Sequence, residues 1–263
     1  MWVYLTGASS TPITLYEYKE TRSTKHPKAF LSGFKGYLHT DGYPGYQGIE
    51  GVKLIGCMAH ARREFDEAIK ACPKGSDQTL LASQEGLDFC NQLFRIERMI
   101  EGKSAEERQT ARQQQTKKVF DAFRSWLIAK ERQVPPKSAL GTAIQYCLNQ
   151  WGKLTTVLED PSLDLSNNRA ERAIKPFVIG RKNWLFSNTP KGASASATIY
   201  SIVETAKQNS LSPYHYLEYL FERLPNIDLK SQRELDDLLP WSDTIPDRCR
   251  VKTNTSQETS VQD

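Results

Sequence analysis

The sequence of 263 residues predicts an α/β protein in which a small strand-bearing region comes first and helices dominate the rest. Three observations carry that expectation. The first 58 residues hold short runs of β-branched and aromatic residues broken by turn residues. From Ala59 the apolar spacing lengthens to that of helices and keeps that period to about residue 160. Beyond 160, helix starts recur near Asn168, Gly192 and Ser212, each followed by an apolar stripe. A hydrophobic share of 38%, with 35 Lys and Arg against 31 Asp and Glu, suits one large or two small domains with a real core and excludes disorder for most of the chain.

The elements follow in order. Trp2-Val3-Tyr4-Leu5 and Ile13-Thr14-Leu15-Tyr16-Glu17-Tyr18, separated by Gly, Ser, Thr and Pro, read as a hairpin. Lys28 to Phe34 reads as a short helix, and Tyr37 to Thr40 as a strand that stops at the turn dipeptide Asp41-Gly42, with a further apolar stretch from Val52 to Met58. Ala61, Phe65, Ala68 and Ile69 then make one helical face. Ser104 and Glu107 form a capping box opening a polar helix that gains a core stripe at Val119, Phe120, Phe123, Trp126 and Leu127 and ends before Pro135-Pro136. Ser138 caps the next helix, with Leu140, Ile144, Cys147, Leu148, Trp151 and Leu158 as its stripe. A helix with Asn168 as its cap carries Glu171, Trp184-Leu185-Phe186 is strand-like, and a helix after Gly192 is expected to bury Ile199, Ile202, Val203 and Ala206. Ser212-Pro213 starts a helix with Leu217, Leu220, Phe221 and Leu224 inward. The polar tail from about Val251 reads as disordered.

No apolar run approaches the ~18 residues of a membrane helix, and no Lys or Arg precedes Lys19, so a signal-peptide n-region is not expected. Five cysteines, an odd number widely spaced, fit a reducing cytoplasm rather than a disulfide framework. The net charge of +4 does not by itself define a polyanion partner, so the distribution of cations has to decide.

Asp41, at the end of a strand and followed by Gly42, is placed to project a carboxylate as a metal ligand; an aspartate in such a turn equally well bonds its own backbone. Glu171 reads either as a capping-box glutamate at N3 or as a second metal-binding acid. Arg169 and Arg172 occupy the same first helical turn, which the helix dipole disfavours, so helix stability does not account for them. Between residues 169 and 191, Arg169, Arg172, Lys175, Arg181, Lys182 and Lys191 face one acid, Glu171. An acid that holds Mg²⁺ among cations that hold phosphates suits phosphodiester chemistry, and a solvated basic face is the alternative. Cys57 and His60 have finger-like spacing, but the gaps to Cys72 and Cys90 match no zinc pattern. Trp184 and Phe186 could stack on bases, although alternating apolar residues more often serve a core.

The segments Tyr37-Leu38-His39-Thr40-Asp41-Gly42-Tyr43, Cys57-Met58-Ala59-His60-Ala61-Arg62-Arg63, Asn167-Asn168-Arg169-Ala170-Glu171-Arg172-Ala173, Gly180 to Phe186 and Ile199 to Lys207 together resemble the bacterial insertion-sequence sixty-six family of transposases, from Trp2 to about Trp241. The resemblance implies a ribonuclease-H-like mixed sheet with a large all-helical insertion and C-terminal helices. It implies partial sheet over 1–58, helical insertion over 59–160, the catalytic-glutamate helix and remaining core helices over 161–225, a C-terminal element over 226–250 and a disordered tail over 251–263. It further implies a DDE-type enzyme that cleaves and transfers DNA strands with two Mg²⁺ or Mn²⁺ ions, with Asp41 and Glu171 as the second and third acids and His60 near the scissile phosphate. Two such ions about 4 Å apart serve the attacking and leaving oxygens, and carboxylates suit them where Cys and His do not. Double-stranded DNA at element ends and target, a homo-oligomer in the intact assembly and a nucleoid-associated, cytoplasmic location follow from the same resemblance.

Ser166 stands where the family usually has an aspartate, an exchange between capping residues. The family's first catalytic aspartate lies upstream of the strand matching Trp2-Val3-Tyr4, and the only acids before Asp41 are Glu17 and Glu20, neither in the motif. The expectation is therefore an N-terminally truncated form, lacking the first strand and inactive alone, whose remaining strands either close up or stay split. The competing expectations are a non-catalytic DNA-binding remnant using residues 169–191 and a zinc-bound helical adaptor built on Cys57 and His60.

Overall fold

The computed structural model describes residues 1–8, 10–73, 75–180 and 189–251. They fall into two compact units: residues 21–171, and residues 1–20 with the described residues after 171. The protein is α/β and mostly helical, and among the described residues each unit holds one two-stranded sheet.

In the unit that contains the N-terminus, β1 (Trp2–Leu5) pairs antiparallel with β2 (Thr14–Glu17), Trp2 opposite Glu17 and Leu5 opposite Thr14. The hairpin expected from the sequence is present, with Trp2, Thr14 and Tyr16 buried. A helix closes the other edge of β2. It is the helix Pro190–Gln208, capped by Thr189, whose hydroxyl accepts the Gly192 amide at 3.0 Å. The Thr14 amide donates to Thr205 Oγ1 at 3.1 Å, the Thr205 hydroxyl donates to the Thr14 carbonyl at 3.0 Å, and the Tyr16 amide donates to Ser201 Oγ at 2.8 Å. The spacing explains the match: four residues of helix rise about 6 Å and two residues of strand about 6.6 Å, so successive helical turns meet successive edge amides.

This packing corrects the expected stripe on that helix. Ala206 is buried, but Ile199 is 41% exposed and Ile202 and Val203 are half-buried; the inward face is Ala193, Ala197, Glu204, Thr205 and Ala206. Against a strand edge the helix needs small residues and hydroxyls that accept the edge amides rather than aliphatic bulk. The C-terminal part of the same unit packs the helix Pro213–Arg223 and the short helix Gln232–Asp236 around Leu211, Tyr216, Leu220, Leu238, Ile245 and Cys249. Phe221, expected inward, is 66% exposed, because Tyr216 and Tyr219 supply the buried face. Trp184-Leu185-Phe186 and the tail after Val251 lie outside the described residues.

The other unit begins with α1 (Lys25–Phe30), somewhat earlier than the expected 28–34. Then β3 (Gly36–His39) pairs parallel with β4 (Val52–Ile55), Gly36 opposite Val52 and His39 opposite Ile55. The connection between them is as long as a parallel pair requires, and it carries a 3₁₀ turn at Pro44–Tyr46. The helices are α2 (Met58–Lys70), α3 (Asp77–Met99), α4 (Ala105–Ala111), α5 (Lys117–Glu131) and α6 (Ala139–Thr155). Phe65, Leu93, Phe120, Phe123, Leu127, Leu140, Ile144 and Cys147 form their core, much as the periodicity predicts. Ser104 and Glu107 make the reciprocal capping box, and Ser138 Oγ accepts the Gly141 amide at 3.0 Å.

Between α4 and α5 the helix widens into a π turn, Arg112–Thr116, for which the sequence carries no local signal. Arg112 is fully buried there. Its Nε and Nη2 donate to the two Glu97 carboxylate oxygens at 2.9 and 2.7 Å, Nη1 to the carbonyls of Val157 and Asp160 at 3.0 Å each, and Nη2 to the Leu163 carbonyl at 2.7 Å. All of the fork's donors are used, and three of them hold the chain segment that follows α6. That segment leads directly to α7 (Asn168–Gly180), which carries Glu171.

Candidate active site

The first turn of α7 presents Glu171. The Asn167 carbonyl accepts the amides of both Ala170 and Glu171, which makes Asn167 the cap and moves Glu171 one place beyond the N3 position expected with Asn168 as cap. Its carboxylate therefore turns outward to α2. Glu171 Oε2 accepts from Arg63 Nη2 at 3.4 Å, and Oε1 lies 3.4 Å from His60 Nε2. These are long approaches. Among the described residues, Glu171 Oε1, His60 Nδ1 and Asn167 Oδ1 are buried and find no hydrogen-bond partner.

Two backbone links fix α2 against the segment before α7. The Met58 amide donates to the Leu165 carbonyl at 3.0 Å, and the Asn167 amide donates to the Cys57 sulfur at 3.4 Å. Burial, the largest influence, pushes the Cys57 thiol up, so it serves as a neutral acceptor. Cys90 is buried in the helical core, and the Cys72 thiol faces the Ser76 carbonyl at 3.6 Å.

Asp41 follows β3 and is exposed, as a carboxylate at a strand end should be. Its Oδ1 accepts the Tyr43 amide at 3.0 Å, the backbone bond of an Asp-Gly turn, and Gly42 takes φ 90°, a conformation that glycine adopts without strain. Tyr146 of α6 borders this turn, its hydroxyl oxygen 3.7 Å from where a Cβ on Gly42 would stand. Burial pushes the Tyr146 phenol up, with smaller contributions from Cys57, Cys147, Glu64 and Asp41. Tyr46 is pushed up to about 12, again by burial first and by Asp41 second. His39, two residues before Asp41, shares its Nε2 with the Gly56 carbonyl at 3.0 Å, and burial holds its pKa low.

The structure thus brings His60 and Glu171 together, while Asp41 keeps a different set of partners. Among the described residues no group of three or more His, Cys, Asp or Glu side chains is arranged to hold a metal ion. Of the basic residues, Arg172, Lys175 and Lys191 are exposed, Arg169 is half-buried, and Arg181 and Lys182 lie outside the described residues. Sequence reasoning passed over Arg63, although it stands one helical turn from His60, and Arg112, although 112, 116, 120, 123 and 127 continue one buried stripe backwards.

The fold is thus an α/β scaffold, mostly helical, that sets a helix-borne glutamate against a histidine and an arginine. The chain belongs to the IS66 transposase family: residues 1–195 match the family described as Transposase IS66 family, and residues 201–241 match the IS66 C-terminal element. Relatives occur in Sinorhizobium fredii (strain NBRC 101917 / NGR234). The uncharacterized protein y4hP is 30% identical over 259 residues, which cover 92% of this chain and 46% of that protein. The uncharacterized protein y4jD is 32% identical over 240 residues, covering 88% and 46%. The chain therefore spans about half the length of the curated relatives it matches. No solved structure matches it, and among the described residues no helix is long and apolar enough to cross a membrane.

Proposed function

We propose that the chain is the catalytic region of a DDE-type transposase, which cleaves double-stranded DNA at the ends of its element and joins them to a target. The observation that carries this reading is Glu171: a carboxylate in the first turn of a helix, paired with Arg63 and close to His60, with one buried oxygen that finds no hydrogen bond among the described residues. An oxygen in that state has lone pairs available to a hard cation, and the oxygen donors of Asp41 and Glu171 fit Mg²⁺ or Mn²⁺. When bound, a pair of such ions supplies activation of the attacking oxygen and stabilisation of the leaving one. Asp41 and Glu171 would hold the metal. Arg63, half exposed, pairs with the Glu171 carboxylate and offers its remaining donors to a phosphate. His60 limits the rotation of Glu171. Arg169, Arg172, Lys175, Arg181, Lys182 and Lys191 would hold the DNA backbone.

A ribonuclease-H-like fold is supported by an antiparallel hairpin, a parallel pair, and an aspartate two residues past the end of β3. The working form would be a homo-oligomer on DNA, associated with the nucleoid in the cytoplasm. The test is nicking of a supercoiled plasmid carrying the element's ends by the longest reading frame that contains this chain. Cleavage should require Mg²⁺ or Mn²⁺ and vanish in Asp41→Ala and in Glu171→Ala; cleavage that survives both substitutions refutes the reading. The exposure of Arg172, Lys175 and Lys191 favours a second reading, DNA binding without catalysis. It requires salt-sensitive binding that chelation leaves intact and no cleavage under any metal.

A further inference from the structure

A second basic stretch, besides residues 169–191, lies near the start of the chain. Of 35 Lys and Arg against 31 Asp and Glu, four cations and no acid lie between Thr21 and Thr40, so the rest of the chain is balanced at 31 of each. The four are Arg22, Lys25, Lys28 and Lys35, and all are exposed. Lys19, Lys53, Lys70 and Lys117 each have a carboxylate oxygen within 3 Å. By contrast, these four cations make no ion pair among the described residues. Lys25 and Lys28 stand three residues apart on α1, which puts them on neighbouring positions of one helical face.

An aromatic ring interrupts the cations. Phe34 is 42% exposed and lies over Gly36 at the start of β3, its ring 3.4 Å from where a Cβ would stand. A Cβ at position 36 would meet the ring at ordinary van der Waals distance. This stretch is also tied to the aspartate turn: the Tyr43 hydroxyl donates to the Arg22 carbonyl at 2.8 Å, while the Tyr43 amide donates to Asp41. From Gly36 to Asp41 the extended chain covers roughly 16 Å.

We propose that the 22–35 stretch is a binding surface for an unpaired DNA strand, with Lys25, Lys28 and the flanking cations on the phosphates and Phe34 stacked on a base, so that the strand leads towards Asp41. The inference rests on the reading of the chain as a DNA-processing protein and adds a surface outside residues 169–191. Cations alone would serve any duplex; an exposed ring set among them adds a contact that only an unstacked base can use. A protein partner fits less well, because lysine is depleted at the centre of protein interfaces.

The experiment is fluorescence anisotropy of the full chain, in EDTA, with a labelled DNA strand of about twenty nucleotides, its RNA counterpart and its duplex. Phe34→Ala should weaken binding of the DNA strand roughly tenfold and leave duplex binding unchanged. Phe34→Trp should retain affinity and show fluorescence quenched by the strand. Lys25→Gln/Lys28→Gln should flatten the logarithmic salt dependence between about 50 and 200 mM by about 1.4, the two single-strand phosphate contacts removed. Lys175→Gln/Lys191→Gln serves as the comparison. Unchanged binding in the Phe34 and Lys25/Lys28 variants, equal loss for strand and duplex in Phe34→Ala, or preference for RNA overturns the proposal. So does a shift of oligomeric state in Phe34→Ala without loss of strand binding. Because metal is absent, these outcomes are separate from the cleavage assay: a chain that cleaves with both acids required but binds strands independently of Phe34 keeps the catalytic reading and loses this one.

Discussion

Replacing Arg112 tests how the helical region holds the glutamate in place. Arg112→Met removes a guanidinium that is fully buried, leaving Glu97 and the carbonyls of Val157, Asp160 and Leu163 without their donor. Loss of one partner from a buried, hydrogen-bonded ion pair costs about 3–5 kcal/mol. Glu97 retains 14% exposure and has Arg108 Nη2 at 3.9 Å, so the lower end, about 3 kcal/mol, applies. The two-unit organisation makes a single global unfolding curve a poor measure, and local amide exchange is the suitable assay. Amides of residues 156–167 should exchange about a hundredfold faster in Arg112→Met, while those of β1 and β2 keep their protection. Arg112→Lys, with three donors and no fork, should fall between the two. The double variant Arg112→Met/Glu97→Leu should recover only part of the loss, because the three carbonyls stay unsatisfied. Full recovery in that variant, or unchanged exchange in Arg112→Met, refutes the account of Arg112 as the clamp on the segment leading to Glu171.

Three further outcomes are expected. Gly86→Ala would press its Cβ into the Phe65 ring of the aromatic core, so it should lower stability there by about 1–3 kcal/mol, read from faster amide exchange in α2 and α3. Thr205→Val keeps the shape but removes the hydroxyl that meets the buried Thr14 amide and carbonyl. It should cost about 1–3 kcal/mol and expose the β2 edge to exchange, and unchanged protection at Thr14 would contradict the edge-closing role. A chromogenic disulfide reagent should modify Cys72 alone in the native chain and all five cysteines in denaturant. The other four are buried, and burial pushes the Cys90 thiol up to about 12. More than one fast-reacting native thiol would show that the cores around Cys57, Cys90, Cys147 or Cys249 open readily.

Periodicity made α2, α5 and α6 legible, because each buries an apolar stripe against its neighbours, and capping chemistry marked the starts of α4 and α6; α3 carries neither a side-chain cap nor a stripe singled out in the sequence. Ser104 and Ser138 act locally and could be read locally. The hairpin at Trp2 to Glu17 was legible from its β-branched and aromatic runs broken by turn residues, and the five motifs, those around Asp41, His60 and Glu171 with 180–186 and 199–207, together pointed to the family. The stripe on Pro190–Gln208 was misjudged because its partner is a strand edge. Hydropathy then gives the wrong answer, since Ser201 and Thr205 are selected for their hydroxyls.

Local sequence thus determined the hairpin, the strands before residue 58, the helices that open at a capping residue and which acids and cations stood out, since these properties depend on neighbours within a turn or two. Tertiary structure alone decided what each polar group meets. It moved Glu171 out of the capping position and against His60 and Arg63, brought Arg112 onto carbonyls more than forty residues away, and set Tyr43 between Arg22 and Asp41. A hydrogen bond between residues distant in the chain leaves no period in the sequence, because its geometry exists only once the elements have packed.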